Sequence, residues 1–140
     1  MAHDPLVSLL RLRRLACDGA KRAVVECLDA ETEAGSCAWE AGLAIEREAD
    51  AAAAGAGGDA LVEAFAAWLP GARLRAGQAQ ALHERRQAET SCARAALAAS
   101  RGALESLETL IARRAAGVAE TAARIAQREL DDACRPASDA

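Results

Sequence analysis

Residues 97–125 read LAASRGALESLETLIARRAAGVAETAARI, and this stretch decides the fold. Five large aliphatic residues recur in it at every seventh position: Leu97, Leu104, Ile111, Val118 and Ile125. Leu107 adds a second apolar position within the same repeat. A seven-residue apolar repeat sustained over this length predicts left-handed coiled-coil packing. The surrounding segment, residues 72–133, is therefore predicted to form one long helix.

A second long helix is predicted near the start of the chain, from residue 5 to about residue 50. Asp4 and Pro5 are a typical N-cap and first helical residue. Small or apolar residues then recur every three or four positions, which is the spacing of one helix face. The members of this seam are Leu6, Leu10, Cys17, Ala20, Val24, Cys27, Ala34, Ala38, Ala41 and Ile45. Because most of them are small, a partner helix can approach the seam closely.

The tip of the fold is predicted at residues 51–71. It opens with AAAAGAGG, whose glycines are the strongest helix break in the chain. A short helix is then predicted to begin at Asp59 and to end at Pro70, because the residue before a proline is biased away from helical geometry. The tail, residues 134–140, is predicted to be disordered.

The charges indicate how the two long helices pair. Residues 23–63 carry a formal charge of -9, whereas residues 64–101 carry +4. Folding the chain back at the glycines lays these blocks side by side, as the flanking charges of coiled coils prefer. We therefore predict an all-α fold, a long antiparallel two-helix coiled-coil hairpin with a short helix at its tip, which spans all 140 residues as one domain. The predicted register places Val24 near Ser100.

The composition argues against several other classes of protein. Alanine accounts for 40 residues, and only 28 residues have larger apolar side chains, which is too few to fill a sandwich, a doubly wound α/β domain or the core around a large pocket. The net charge of -4 argues against nucleic-acid binding. No apolar run reaches the ~18 residues of a membrane span. The opening residues lack a basic signal segment, so we expect a cytoplasmic protein with reduced cysteines.

No arrangement of reactive side chains indicates an enzyme. Cys17, Cys27 and Cys37 are spaced ten residues apart, so successive thiols are turned by roughly 80° on a helix and cannot converge on one metal ion. His3 lies near the N-terminus and His83 on the seam, and neither has a catalytic partner at a suitable spacing. The glycine cluster lacks the lysine of a phosphate-binding loop. We expect no enzymatic activity, metal or cofactor.

Two segments are candidates for binding other molecules. Phe65, Trp68 and Leu69 gather near the predicted tip, where they form either a small cap over the hairpin or an exposed protein-binding patch. The sequence LVSLLRLRRL at residues 6–15 is basic and amphipathic. It is suited to a membrane surface, to an acidic protein surface, or simply to the solvated end of a coiled coil.

Four stretches together resemble a known family. They are the N-terminal LxxLLRLRRL, the mid-chain EAFAAWLPGAR, the run ARAALAASRGALESLETLIARRAA and the closing ARIAQRELDD. In these stretches, and in its heptads and length, the chain resembles the FliJ/YscO family of type III export stalk proteins. The resemblance covers most of the two predicted helices.

The resemblance implies a non-enzymatic stalk of the flagellar type III protein export apparatus, acting in flagellum biogenesis and motility. Such a protein lies in the cytoplasm, at the cytoplasmic face of the inner membrane, with at most peripheral membrane association through its partners. The implied partners are the hexameric export ATPase, the cytosolic domain of the export gate and export chaperones. Nucleic acid is not among them.

Two sets of residues acquire roles from this resemblance. The end of the hairpin that holds both termini would enter the ATPase ring, and its basic residues would meet acidic pore loops: Arg11, Arg13, Arg14, Arg124 and Arg128. The tip residues Phe65, Trp68 and Leu69 would contact the export gate. Two alternatives remain, the equivalent stalk of a non-flagellar type III secretion system and a general coiled-coil scaffold or adaptor.

Overall fold

The protein consists of two long helices that pack against each other. The computed structural model describes residues 5–55 and 57–134. Helix α1 spans Pro5–Ala53 and helix α2 spans Gly58–Ala133. No strand occurs within the described ranges. The prediction of an all-helical fold is therefore confirmed.

Two of the predictions concern residues that are not described. The N-cap at Asp4 lies outside the described residues, and so does the tail from residue 135 onward. Cys134, the first residue of the predicted tail, forms a turn in which its N–H donates to the carbonyl of Leu130 at 2.9 Å.

The connection between the helices occupies only residues 54–57. Gly55 and Gly58 have φ angles of 71° and 62°, in the left-handed region where a side chain costs roughly 1–2 kcal/mol. The N–H of Gly58 donates to the carbonyl of Gly55 at 3.3 Å, which closes the turn. The glycine cluster therefore breaks the helix as predicted, although α1 continues to Ala53 rather than ending near residue 50.

The predicted short helix that ends at Pro70 is wrong. Helix α2 begins at Gly58 and continues through Pro70 without interruption. A proline inside a helix removes one N–H and leaves the carbonyl four residues earlier, that of Ala66, without its helical donor. Both residues are exposed, so water can hydrate this carbonyl. Just beyond the proline, Ala72 is one of the few buried residues, and burial of this turn favours continuation of the helix.

The seam predicted on α1 is confirmed over its whole length. All ten of its positions, from Leu6 to Ile45, are partly or fully buried. Cys17 and Ala34 are the most deeply buried of them. Small residues therefore form much of the contact surface of α1, as the alanine-rich pattern indicated.

The seam predicted on α2 is confirmed only in part. Covered positions alternate at spacings of three and four residues along its middle: Ala76, Ala79, His83, Arg86, Thr90, Ala93, Leu97, Ser100, Leu104, Leu107 and Ile111. Every residue from 112 to 134 is exposed, including Val118 and Ile125 at 65% and 51%. The heptad of α2 thus continues past Ile111, which is the last of its positions that is covered among the described residues.

The chain divides into two compact units, each built from parts of both helices. The terminal unit combines residues 1–17 with residues 99–140. In it, Cys17 and Leu107 are buried. Arg14 Nη2 lies 3.2 Å from Glu108 Oε1 and joins the two helices at their exposed edge.

The central unit comprises residues 18–98 and includes the connection. Its most buried polar residue is Thr90, whose hydroxyl lies 3.2 Å from the carbonyl oxygen of Cys27 on α1 and 3.0 Å from that of Arg86 on its own helix. The hydroxyl proton is shared between these two acceptors, so a polar side chain is satisfied inside an apolar seam.

The register in the central unit differs from the predicted one. The predicted pairing would place Cys27 beside Leu97, but Cys27 meets Thr90, one heptad earlier on α2. The cause is the length of the tip. The centre of the connection, residues 54–57, lies several residues before the centre of the predicted tip, residues 51–71. Residues of α1 in the central unit therefore meet earlier residues of α2 than the prediction gave.

Candidate protein-binding surfaces

All five arginines implicated by the family resemblance lie in the terminal unit and are exposed: Arg11, Arg13, Arg14, Arg124 and Arg128. Arg14 is paired with Glu108 across the two helices. Arg124 is paired with Glu120 one turn earlier on α2. Exposed pairs of this kind contribute little to stability, so both guanidinium groups remain accessible to a partner.

An exposed apolar stripe lies in the same unit as these arginines. It consists of Ala115, Val118, Ala122 and Ile125, and we call it the open stripe. Its members recur at spacings of three and four residues on one face of α2, and all four are exposed. A shallow hollow beside Val118, Ala122 and Ile125 is lined by residues of α2 alone. Exposed apolar residues at this spacing are typical of a surface that receives another helix.

The aromatic residues Phe65 and Trp68 pack against each other in the third turn of α2. Their ring centroids are 6.0 Å apart with an interplanar angle of 37°, and both side chains are half-buried, as is Leu69. Together with Glu48 and Leu61, the two rings border a groove of about 270 Å³. The predicted cluster thus exists, and its burial is intermediate between the packed cap and the exposed patch considered from the sequence.

Trp39 forms a surface that the sequence reasoning missed. Its side chain is 71% exposed, the highest value among the exposed large apolar residues of the described chain. It borders a groove of about 370 Å³, which also includes Gly35, Gly42 and His83, and which we call the Trp39 groove. Trp39 lies off the predicted seam, so a search for seam positions passes over it. The sequence did offer one signal for this surface, a tryptophan that lies between two glycines, Gly35 and Gly42, of the same predicted helix.

The imidazole of His83 forms the wall of the Trp39 groove that belongs to α2. A Cβ atom at Gly35 would lie only 3.0 Å from His83 Cε1, so the ring occupies the space that glycine leaves free on α1. His83 Nε2 lies 3.1 Å from Gln87 Nε2. Which of the two nitrogens donates this hydrogen bond depends on the tautomer of the ring. Nδ1 is buried, with no hydrogen-bond partner among the described residues.

No reaction centre is visible in the part of the chain that the structure describes. The five cysteines are free thiols, and no three metal-binding side chains come together among the described residues. The pKa of Glu89 is lowered mainly by a hydrogen bond from Arg86. Over their described residues, neither helix offers a segment long and apolar enough to cross a membrane.

Comparison with known proteins gives no relative of this chain. No protein-family model matches it, and no curated protein or solved structure matches it either. The function proposed below therefore rests on the chain's own residues and on the resemblance stated from its sequence.

Proposed function

We propose that the protein is a non-enzymatic stalk component of the flagellar type III protein export apparatus. In this role it couples the hexameric export ATPase to the cytosolic domain of the export gate and handles export chaperones. The observation that carries the proposal is the terminal unit, where five exposed arginines accompany the open stripe of α2. The protein then acts at the cytoplasmic face of the inner membrane, associated with the membrane only through its partners.

The stalk requires an antiparallel coiled-coil hairpin, and contacts in the central unit support this arrangement. Gly35 faces His83, and Cys27 accepts a hydrogen bond from Thr90. A step toward the start of α1 thus corresponds to a step toward the end of α2. The alternating spacing of three and four residues between covered positions is the spacing of a coiled-coil seam.

The open stripe and the arginines suit a protein partner. The stripe offers apolar contact, and its alanines allow a second helix to approach closely. The arginines complement an acidic surface and would favour rapid association with it. Acidic loops that line the pore of an ATPase ring would provide such a surface. Phe65, Trp68 and Leu69 are the proposed contact with the export gate.

Co-purification with the export ATPase of the same organism tests the proposal. The double variant Val118→Asp with Ile125→Asp places two charges on the open stripe and should abolish co-purification. The matched control, Ala116→Asp with Ala123→Asp, adds the same charges to exposed positions on the opposite face of α2 and should leave it intact. Equal co-purification of the two double variants would contradict the role of the stripe.

Deletion of the gene provides the cellular test. Motility should be lost while basal bodies still assemble, because a stalk acts in export rather than in assembly of the base. Unchanged motility would contradict the flagellar assignment. If secretion of effector proteins failed instead, the equivalent stalk of a non-flagellar type III secretion system would be the better assignment.

The open stripe also favours a second function, that of a coiled-coil scaffold which pairs with another copy of itself. Sedimentation of the pure protein separates the two proposals. A stalk should sediment as a monomer, whereas a scaffold should form a stable dimer that Val118→Asp with Ile125→Asp dissociates.

A further inference from the structure

We propose that the Trp39 groove binds a basic amphipathic helix of a partner protein, with an arginine or lysine of that helix stacked on the Trp39 indole. The groove lies entirely within the central unit, so this proposal does not rest on the proposed export function or on the open stripe.

The first argument is the exposure of an indole beside an open volume. Trp39 is largely exposed, whereas tryptophans in folded proteins are highly buried on average. Gly42 has no side chain, and a Cβ there would meet nothing within 4 Å, so this part of the groove beside the indole is free, whereas the His83 ring fills the space beside Gly35. The volume of about 370 Å³ is sufficient for one or two side chains of a partner. Exposed tryptophans are also frequent centres of binding energy in protein interfaces.

The second argument is the charge around the groove. Glu46 is its charged lining residue, and Gln80 on the opposite wall is neutral. Asp50 is exposed one turn further along α1. No arginine or lysine lines the groove among the described residues. A cationic partner is therefore complementary, and tryptophan is the side chain that attracts a cation most strongly by cation–π interaction.

The third argument concerns the shape of the partner. Val25, Thr32, Trp39 and Glu46 recur at every seventh position, so they share one face of α1, and all four are exposed. Apolar, polar and acidic positions therefore follow one another along a helical face. A helix with apolar and basic residues at the same repeat matches this order, as in coiled-coil recognition.

Tryptophan fluorescence of the full chain tests the proposal. The chain has two tryptophans, so Trp68→Phe leaves Trp39 as the sole indole. The probe is an 18-residue amphipathic helical peptide of leucine and arginine, and its control has glutamate in place of each arginine. At about 150 mM salt, the arginine peptide should quench Trp39 fluorescence with a saturable Kd of roughly micromolar size, and the glutamate peptide should bind at least about tenfold more weakly.

Variants in the groove separate specific binding from general attraction to an acidic chain. A Cβ at Gly42 would meet nothing within 4 Å, so Gly42→Leu fills the groove without straining the helix, and it should weaken binding of the arginine peptide about tenfold. Gly77→Leu is the matched control on α2, where space is equally free, and it should bind as the parent does. Glu46→Gln should weaken binding by roughly threefold to tenfold.

Three results would overturn the proposal. They are the absence of saturable binding up to about 1 mM, equal binding of the two peptides, and parental affinity in both Gly42→Leu and Trp39→Ala when measured by calorimetry. A parent chain that dimerises, and that Gly42→Leu converts to monomers, would instead identify a second copy of this chain as the occupant. Co-purification with the export ATPase should be unaffected by Gly42→Leu, so failure of one proposal is distinguishable from failure of the other.

Discussion

Two neighbouring parts of α2 share one heptad pattern but differ in burial. In residues 99–111, the heptad positions Leu104 and Ile111 are covered. In residues 112–133, the equivalent positions Val118 and Ile125 are exposed, although both lie in the terminal unit with the former pair. The apolar spacing does not change, so the sequence of α2 itself does not explain the difference.

The difference arises from α1. Its described part begins at Pro5, and Leu6 borders the same groove as Ile111 and Val118. The part of α2 that follows this groove has no described residue of α1 beside it. A heptad therefore predicts that a helix has a face to bury, but it does not predict whether the partner belongs to the same chain. The uncovered heptads belong to the open stripe, where the proposed partner would bind.

The largest expected effect on stability comes from a substitution in the covered part of the seam. Leu107 is 7% exposed, so Leu107→Ala should lower the free energy of unfolding by about 2–3 kcal/mol through lost burial and the cavity it leaves. The matched control is Leu110→Ala, the same change three residues away at a 54% exposed position, and it should alter the free energy by less than about 0.5 kcal/mol. Urea unfolding followed by circular dichroism measures both. Similar losses in the two variants would contradict the burial of Leu107 and the exposure of Leu110.

The second effect concerns two helical glycines in different surroundings. Gly102 is exposed, and a Cβ there would meet nothing within 4 Å, so Gly102→Ala should raise the free energy of unfolding by about 1 kcal/mol through helix propensity. At Gly35 the added methyl would meet the His83 ring at 3.0 Å. Gly35→Ala should therefore gain much less, or lose stability.

The double variant Gly35→Ala with His83→Ala provides the control for this pair. The single variant His83→Ala measures the cost of losing the imidazole. Relative to that variant, adding Gly35→Ala should raise the free energy of unfolding by the amount that Gly35→Ala alone does not achieve. Equal gains from Gly35→Ala and Gly102→Ala would show that the His83 ring does not lie against Gly35 in solution.

These contrasts also show what the sequence could and could not predict. The spacing of small and apolar residues predicted the seam of α1 and the covered part of the seam of α2, because helical periodicity is a local property of the chain. The helix boundary assigned to Pro70 was wrong because the rule for proline is local, whereas the packing of residues around it is not. The register was wrong because it depends on the length of the connection at residues 54–57. Trp39 was missed because exposure, not periodicity, distinguishes it.

The third effect sharpens the description of the covered seam at its polar position. Thr90 is 1% exposed and its hydroxyl bridges toward the carbonyl of Cys27, so Thr90→Val removes a buried hydrogen bond at nearly constant volume. We expect a loss of about 0.5–1 kcal/mol in the free energy of unfolding. Ser106→Ala is the control, because its hydroxyl bonds to the carbonyl of Gly102 on an exposed face, and its effect should be smaller. A larger effect at Ser106 would contradict this ranking.

The smallest expected effect lies at the border of the covered seam, at Glu89. Arg86 Nη1 donates a hydrogen bond of 2.7 Å to its Oε2, and this bond is the main reason why the pKa of Glu89 lies below its ordinary value of 4.5. Partial removal from water opposes the shift, and the charges of Arg86 and Arg85 reinforce it. A carboxyl whose pKa is lowered by folding stabilises the protein above its ordinary pKa, and this contribution is lost as the pH falls through the lowered value.

Carboxyl carbon titration by NMR measures this shift directly. Arg86→Gln should return the pKa of Glu89 most of the way toward 4.5, because it removes both the principal hydrogen bond and the nearer charge. Arg85→Gln should move it less, since its nitrogen lies 3.4 Å from Glu89 and Arg85 itself is more exposed. A larger response to Arg85→Gln would mean that Arg86 has turned away from Glu89 in solution. Arg86 lies at a partly buried position of α2. That result would therefore also mean that the covered seam does not include the Arg86 side chain in solution.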